Sequence, residues 1–461
     1  MWLWIAVPFF ANAVTTSGLA EWQVGVATAK ITPDGPAWMA GYASRTKPSE
    51  GVAQDIFAKA LSIRDAGGGR AVIVTADLIG IPLPLRQYVE HEGARRFGLR
   101  PAEILLNASH THSGPEVRTE RLASVYNFSR NATPDQANVV TRYASRLREV
   151  IVDLIGAALT DSRSARLEVT HARAGFAMNR RRPEKDGRFT NNPNPDGPVD
   201  HEVPVLKVTG ADGKLRALMF GYACHNTTLG TYQISGDYAG WAQEFLARSY
   251  PGTTALFLMG CGGDQNPYPR RAMVPDQPVE ELVKHHGRAL ANAVSTALQA
   301  VPRSVRGPLR GAYDQALLAY APLPAAELRK YLTARQSEDV RERARTLLRV
   351  AGRAEALPPL PCPVQVLQFG RDLTLVAIGG EVVIDYALRI KAELRGHAYV
   401  WVAGYSNNLF GYLGSRRVIE EGGYEGGSAN TRILVHPGRF TPAAEASVMA
   451  KVHELHGHTN R

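Results

Sequence analysis

Cysteine is scarce: the 461 residues contain three, Cys224, Cys261 and Cys362. None forms a Cys-x-x-Cys pair, which excludes a disulfide framework, a zinc finger and a thioredoxin-type motif. Cys224 and Cys261 could form a single bridge, but a pair of buried free thiols is the plainer expectation. Long hydrophobic runs are missing too. After the N-terminus no stretch nears the ~20 continuous apolar residues that cross a bilayer. Lys and Arg outnumber Asp and Glu by 53 to 43, giving a net charge of +10. The basic residues are scattered, with neither aromatic interleaving nor a nucleic-acid module, so nucleic acid is not an expected partner. Peripheral contact with an anionic membrane surface stays open. No internal repeat is visible.

What is present reads as a globular chain, 44% hydrophobic and 21% charged. The start, from Met1 through Phe9 and Phe10 to Ala13, has the short apolar run of a secretory signal, although no Lys or Arg precedes it. Residues 1–20 are therefore expected to direct export, to the medium or the periplasm. Strand-like runs recur at 23–29, 58–64, 71–76, 103–108, 203–208, 215–223, 253–259, 363–369, 373–378 and 397–403. Helical patterns fall at 85–97, 139–159, 238–249, 279–300, 383–394 and 442–455. The chain is a mixed α/β protein. The Gly67-Gly68-Gly69 turn joins two strands as a hairpin, so its sheets are partly antiparallel. Residues 21–461 form one large catalytic unit flanked by helices, with two insertions. Residues 181–199, rich in Arg, Pro, Asn and Gly, read as a long loop. Residues 324–357 read as a charged, solvated helical hairpin.

Chemistry concentrates at strand ends. The run Ile104-Leu105-Leu106 leads into Asn107-Ala-Ser-His110-Thr-His112-Ser-Gly114-Pro115. On an extended segment His110 and His112 point to one face, where both can bind a metal ion, or one can bind while the other handles protons. A second strand ends at Cys224-His225-Asn226, followed by Ser235-Gly236-Asp237. A third runs into Gly379-Gly380-Glu381, where the carboxylate can serve a cleft or interact with the dipole of the next helix. Open metal sites draw ligands from such separate places. Asp237 and Asp264 are candidates to orient a ligand imidazole, and Asp237 reads equally as a helix cap. His456 and His458 share the two-residue spacing but lie in a polar tail.

These pieces, together with Val24-Gly25 through Ile31-Thr32-Pro33, Asn179-Arg180, Asn191-Asn192-Pro193, Ser406-Asn407, Tyr412 and Tyr424-Glu425-Gly426, occur in an order that resembles the neutral, non-lysosomal ceramidase family of zinc amidases. The resemblance implies one zinc per chain, held by His110, His225, Glu381 and Tyr412. It further implies that His112 and Tyr424 meet the substrate carbonyl and that Arg180 lies near the active site, while Arg181 and Arg182 read as a solvated run. The implied reaction is attack of a zinc-activated water on the amide of ceramide or a related N-acyl compound. Where the family carries an active-site serine, Asn266 stands in Gly263-Asp264-Gln265-Asn266-Pro267. An amide is no acyl-accepting nucleophile, so Asn266 is expected to contribute a hydrogen bond instead. Glu116 and Arg118 are expected to bring charge to the mouth. No segment corresponds to the family's C-terminal immunoglobulin-like domain. Two other readings stay open: a zinc hydrolase of a smaller polar amide or ester, and a non-catalytic protein using the cleft to bind lipid or sugar.

Overall fold

A computed structural model describes residues 22–119, 131–333, 335–336, 338–351, 357–396, 398–432 and 435–460. The segment read as an export signal, 1–20, lies outside them. The chain builds two main sheets. In chain order the elements that matter are β1 (Trp22–Lys30), β2 (Phe57–Arg64), β3 (Arg70–Ala76), α1 (Leu83–Phe97), β4 (Ile104–Ala108) and α2 (Pro134–Thr160). Next come β5 (Arg163–Arg173), β6 (Ala177–Pro183), β7 (Phe189–Asn194), β8 (Glu202–Gly210), β9 (Leu215–Tyr222), α3 (Asp237–Ser249), β10 (Thr254–Met259), β11 (Gln265–Pro267) and α4 (Val279–Ala297). The last part contains β12 (Leu309–Leu318), α5 (Glu338–Ala351), β13 (Leu360–Phe369), β14 (Leu373–Ile378), β15 (Glu381–Val382), α6 (Ile384–Glu393), β16 (Tyr399–Ala403), β17 (Tyr412–Leu413) and α7 (Ala443–Thr459).

The larger sheet runs β10-β9-β8-β5-β1-β2-β3-β4, with a short ninth strand, Arg303–Val305, on β5. Its two ends, β9 with β10 and β3 with β4, are parallel pairs; the middle is antiparallel, including the β2-β3 hairpin. The smaller sheet, β12-β13-β14-β16, has one parallel pair, β14 with β16. Parallel pairing needs cover on both faces, and the sequence supplies it. β4 is buried at every position, as is β14. Helix α2 presents Leu147, Ile151, Leu154 and Ile155 to one face of the larger sheet, at the helical spacing its sequence predicts.

Two expectations need correction. Residues 181–199 are largely a β-hairpin, β6 paired antiparallel with β7, rather than a loop. β5, eleven residues long, lies where no strand was expected; its charged residues Arg163, Arg166, Glu168 and Arg173 hide the alternation of buried Ala165, Leu167 and Val169. Helices do occupy much of the second insertion, at Ala325–Arg329 and Glu338–Ala351. The three cysteines are free and buried.

The two edge strands of the larger sheet, β4 and β10, approach each other at the segment that follows β16 of the smaller sheet. Backbone bonds from Gly404 N to Met259 O at 3.2 Å and from Asn407 N to Leu106 O at 2.8 Å run through that segment, and the buried side chain of Asn107 ties all three. Its Oδ1 accepts from Met259 N at 2.8 Å, while Nδ2 donates to Gly404 O at 2.8 Å and to Ser406 Oγ at 3.1 Å. Asn407 adds a second tie: its Oδ1 accepts from Arg86 Nη1 at 2.7 Å and Leu106 N at 3.1 Å, and its Nδ2 donates to Gln365 Oε1 at 2.9 Å. Asn107→Leu keeps the volume but leaves Met259 N and Gly404 O without these partners, so it should lower unfolding free energy by about 3 kcal/mol, read from the urea midpoint. A change below about 0.5 kcal/mol would mean that water or backbone shifts satisfy those groups.

Candidate metal centre

The loops that leave β4, β9 and β14, and the strand β17, converge on one buried point. His110 follows β4, His225 follows β9, and Glu381 opens β15, which pairs directly with β17 at Glu381 and Tyr412. The two histidine loops are joined to each other: His112 N donates to Asn226 O at 3.1 Å, and Asn226 Nδ2 donates to Ser109 O at 2.5 Å. Among the described residues four non-glycine residues have left-handed backbone: His110 (φ 61°) after β4, Asp237 (φ 54°) at the start of α3, and Tyr405 (φ 50°) and Asn407 (φ 63°) after β16. Such conformations cost energy and persist where surrounding structure enforces them. Gly41, at φ 103°, leaves room for His112: a Cβ there would come within 2.6 Å of its side chain.

Each imidazole has one nitrogen committed. His110 Nδ1 donates to Ile79 O and His225 Nδ1 donates to Gly262 O, both at 2.6 Å. Their Nε2 atoms therefore carry lone pairs in the neutral ring, and they lie 3.2 and 3.3 Å from Glu381 Oε2. Burial, the nearby Arg180 charge and His110 hold His225 down at about 3 against the pull of Glu381. Burial favours the neutral acid at Glu381, but His110 and His225 outweigh it and keep the carboxylate well below its usual range. The two Nε2 atoms and Oε2 thus surround one point, with Oε2 buried and without a hydrogen-bond partner among the described residues. A cation between them would hold the three together. The spacing fits one: a tetrahedron with bonds of about 2.0–2.1 Å has edges of about 3.3 Å. The Tyr412 hydroxyl is 3.3 Å from His225 Nε2, at the same edge length. The nitrogens of His110, His112 and His225 also lie within 4.8 Å of one another, a group that could hold a metal ion with His112 as a member. His112 Nε2 is 3.1 Å from His110 Nε2, and its Nδ1 is buried without a partner. Burial and the neighbouring His110 push His112 well below the ordinary imidazole value.

Behind this cluster lies a buried charge network. Arg180 donates from Nη2 to Tyr412 Oη at 2.9 Å, from Nε to Glu425 Oε1 at 2.7 Å and from Nη1 to Asn266 Oδ1 at 3.2 Å. Arg181 donates to the other Glu425 oxygen at 2.8 Å, and to Glu421 and Gly422 O. Arg181 is 2% exposed, which corrects its reading as part of a solvated run; Arg182 is the solvated one, pairing with Glu184 at the surface. Burial raises the Glu425 carboxyl, but the two guanidiniums draw it below the carboxylate norm. Tyr424 packs edge-on against Tyr412 at 5.2 Å, with Arg180 over its ring.

All eight residues singled out in the sequence, His110, His112, His225, Glu381, Tyr412, Tyr424, Arg180 and Asn266, are brought together. Neither aspartate bonds a ligand imidazole, and Asp237 serves the turn into α3, as its other reading allowed. Asp237 accepts from Leu229 N, Thr228 N and Tyr238 N, tying down the loop after His225, and Asp264 accepts from Ile384 N and Asn179 Nδ2. Backbone carbonyls orient the imidazoles instead. Glu116 brings no free charge to a mouth: it is 1% exposed and takes Arg118 Nε at 2.7 Å. Missed altogether was Tyr405, fully buried, its ring 4.5 Å from that of His110 and its hydroxyl without a partner. Glu425 was visible beside Tyr424, but its bond to Arg180 spans 245 residues.

Fold and site together define a mixed α/β protein with a buried histidine and carboxylate centre at converging strand ends. The chain belongs to the neutral/alkaline non-lysosomal ceramidase family, whose N-terminal description matches residues 22–260. It is 25% identical over 283 residues to neutral ceramidase B of Dictyostelium discoideum, covering 57% of this chain and 38% of that protein. Neutral ceramidase of Drosophila melanogaster is 24% identical over 254 residues, covering 53% and 34%. The chain thus spans less than two fifths of the length of these relatives. The crystal structure of neutral ceramidase from Pseudomonas aeruginosa shares the fold, with a TM-score of 0.70 over 95% of this chain and 74% of its own at 19% identity.

Glu425→Ala leaves Arg180 and Arg181 buried without their shared carboxylate and should cost about 3–5 kcal/mol in urea unfolding. A cost under about 1 kcal/mol would show that the arginines are held by other contacts.

Proposed function

We propose that the protein hydrolyses the amide bond of ceramide or a related N-acyl compound, with one zinc ion held by His110, His225, Glu381 and Tyr412. The observation that carries this is the buried, unpartnered Glu381 Oε2 with the Nε2 atoms of His110 and His225 at 3.2 and 3.3 Å, spacings that suit a shared metal ion. Membership of the ceramidase family supports the substrate class, as does a structural neighbour described as a ceramidase complexed with C2. Zinc, when bound, supplies Lewis acidity towards a carbonyl oxygen and acidifies water.

The remaining work falls to side chains. Hydrolysis joins a water oxygen to the carbonyl carbon, breaks the C–N bond and delivers a proton to the departing amine. His112, held neutral by burial and sited beside His110, is the group that takes and returns that proton. Tyr424, next to Tyr412, donates to the carbonyl oxygen as it gains charge. Arg180 stays protonated despite its burial, because Tyr412 and Glu425 outweigh the desolvation, and it holds the Tyr412 oxygen in place. Asn266 is a positioning residue. Its Oδ1 accepts from Arg180 and its Nδ2 donates to Asn191 Oδ1 at 3.3 Å, so the short strand β11 that bears it is pinned without a nucleophile.

Zinc analysis of the purified protein, combined with hydrolysis of ceramide and an N-acyl panel, tests the reading. About one zinc per chain and release of fatty acid are expected, and His110→Ala and His225→Ala should each lose the metal and at least about a hundredfold in kcat/KM. Full activity in a zinc-free preparation would sink the metal reading.

A further inference from the structure

Beside the candidate centre lies a cavity of about 890 Å³. Two of its lining residues, Tyr42 and Asn191, touch side chains of the centre. Tyr42 stands edge-on to His112 with ring centroids 5.0 Å apart, and its hydroxyl donates to Thr227 O at 3.1 Å. Asn191, on the other side, accepts from Asn266. One wall is apolar, built from Pro193, Pro267, Pro269, Pro275 and Val279.

Among the described lining residues, Arg270 alone carries a full charge. It sits in the segment after β11, held by Tyr268 N donating to Phe176 O and Met273 N donating to Arg270 O, both at 2.8 Å. Its guanidinium has no hydrogen bond or ion pair among the described residues. The arginines nearer the centre differ: Arg45 donates to Ala40 O and Thr231 O, and Arg180 and Arg181 share Glu425. Burial and Asp237 raise the Tyr42 phenol and the Arg270 charge opposes them, as it opposes burial at Tyr268; both phenols line the cavity with Arg270. A neutral two-tailed lipid would leave this cation without a partner next to an apolar wall.

Resting on the hydrolase reading, we propose that the cavity selects N-acyl amphiphiles that carry a carboxylate close to the amide, as an N-acyl amino acid does. The carboxylate pairs with Arg270 and the acyl chain lies along the proline and Val279 wall. A guanidinium takes a carboxylate through paired charge-assisted hydrogen bonds, which sets the expected preference at about ten- to a hundredfold.

The test uses matched pairs differing only at that group. N-lauroylglycine and N-lauroylethanolamine report kcat/KM, while the uncleavable dodecylsulfonyl analogues of each report Kd by calorimetry. Wild type should favour the carboxylate by about ten- to a hundredfold in both measurements. Arg270→Gln should bring both ratios to within about twofold, Arg270→Lys should retain part of the preference, and added salt should weaken it. Equal binding of the pair by wild type, or a preference that survives Arg270→Gln, overturns the proposal. The two readings fail separately. Selective binding without cleavage of either amide removes the hydrolase reading and leaves the anion site standing, whereas equal cleavage of both removes the anion site and leaves the hydrolase.

Discussion

One side-chain amide does the work of a strand at the centre of this fold. Asn107 offers Met259 an acceptor and Gly404 a donor, so it ties the two edges of the larger sheet to each other and to the segment that follows β16. Every candidate ligand loop leaves a strand that this contact fixes or a neighbour of one. β4 carries Asn107 itself, β10 ends at Met259 beside β9, and Gly404 follows β16, which pairs with β14. An apolar residue could fill the same volume, but it could not set the register of two edges against each other.

Electrostatics then explains why the interior around these strand ends tolerates so much polarity. Burial and the nearby Arg180 charge hold His225 well below the ordinary imidazole value, and backbone carbonyls aim both rings so that their Nε2 atoms face the cluster. Positive charge is supplied behind them, by Arg180 and Arg181, and is balanced by Glu425 and Glu421. An isolated buried guanidinium would be costly; two that share one carboxylate and carry further bonds to Tyr412, Asn266 and Gly422 are satisfied on nearly every side.

Much of this was legible in the chain, for definite reasons. Apolar strands ending in His110, His225 and Glu381 stand out because a run of buried residues that stops at a metal-binding type is unusual in composition. The hairpin at Gly67-Gly68-Gly69 and the helices on either side followed from turn chemistry and periodicity. What stayed hidden depends on partners distant in sequence. Arg181 looks like any surface arginine until Glu425 is brought to it across 244 residues. The atoms that orient His110 and His225 are backbone carbonyls, which no residue type announces. β5 escaped notice because its outward face is so heavily charged, and Tyr405 because one tyrosine after a strand resembles ordinary core.

The spread of the four donors along the chain has a temporal side. His110 and His225 fall within the N-terminal region that matches the family, while Glu381 and Tyr412 come much later and meet each other across a two-residue ribbon. A chain still being synthesised that has not reached Glu381 offers an ion two imidazoles and little else. If these four residues hold an ion, firm capture waits until the second sheet has docked, and the ion would then lend its binding energy to the folded state. A metal held by these four residues would mark a chain whose synthesis has passed Tyr412, setting it apart from one that stops before that strand.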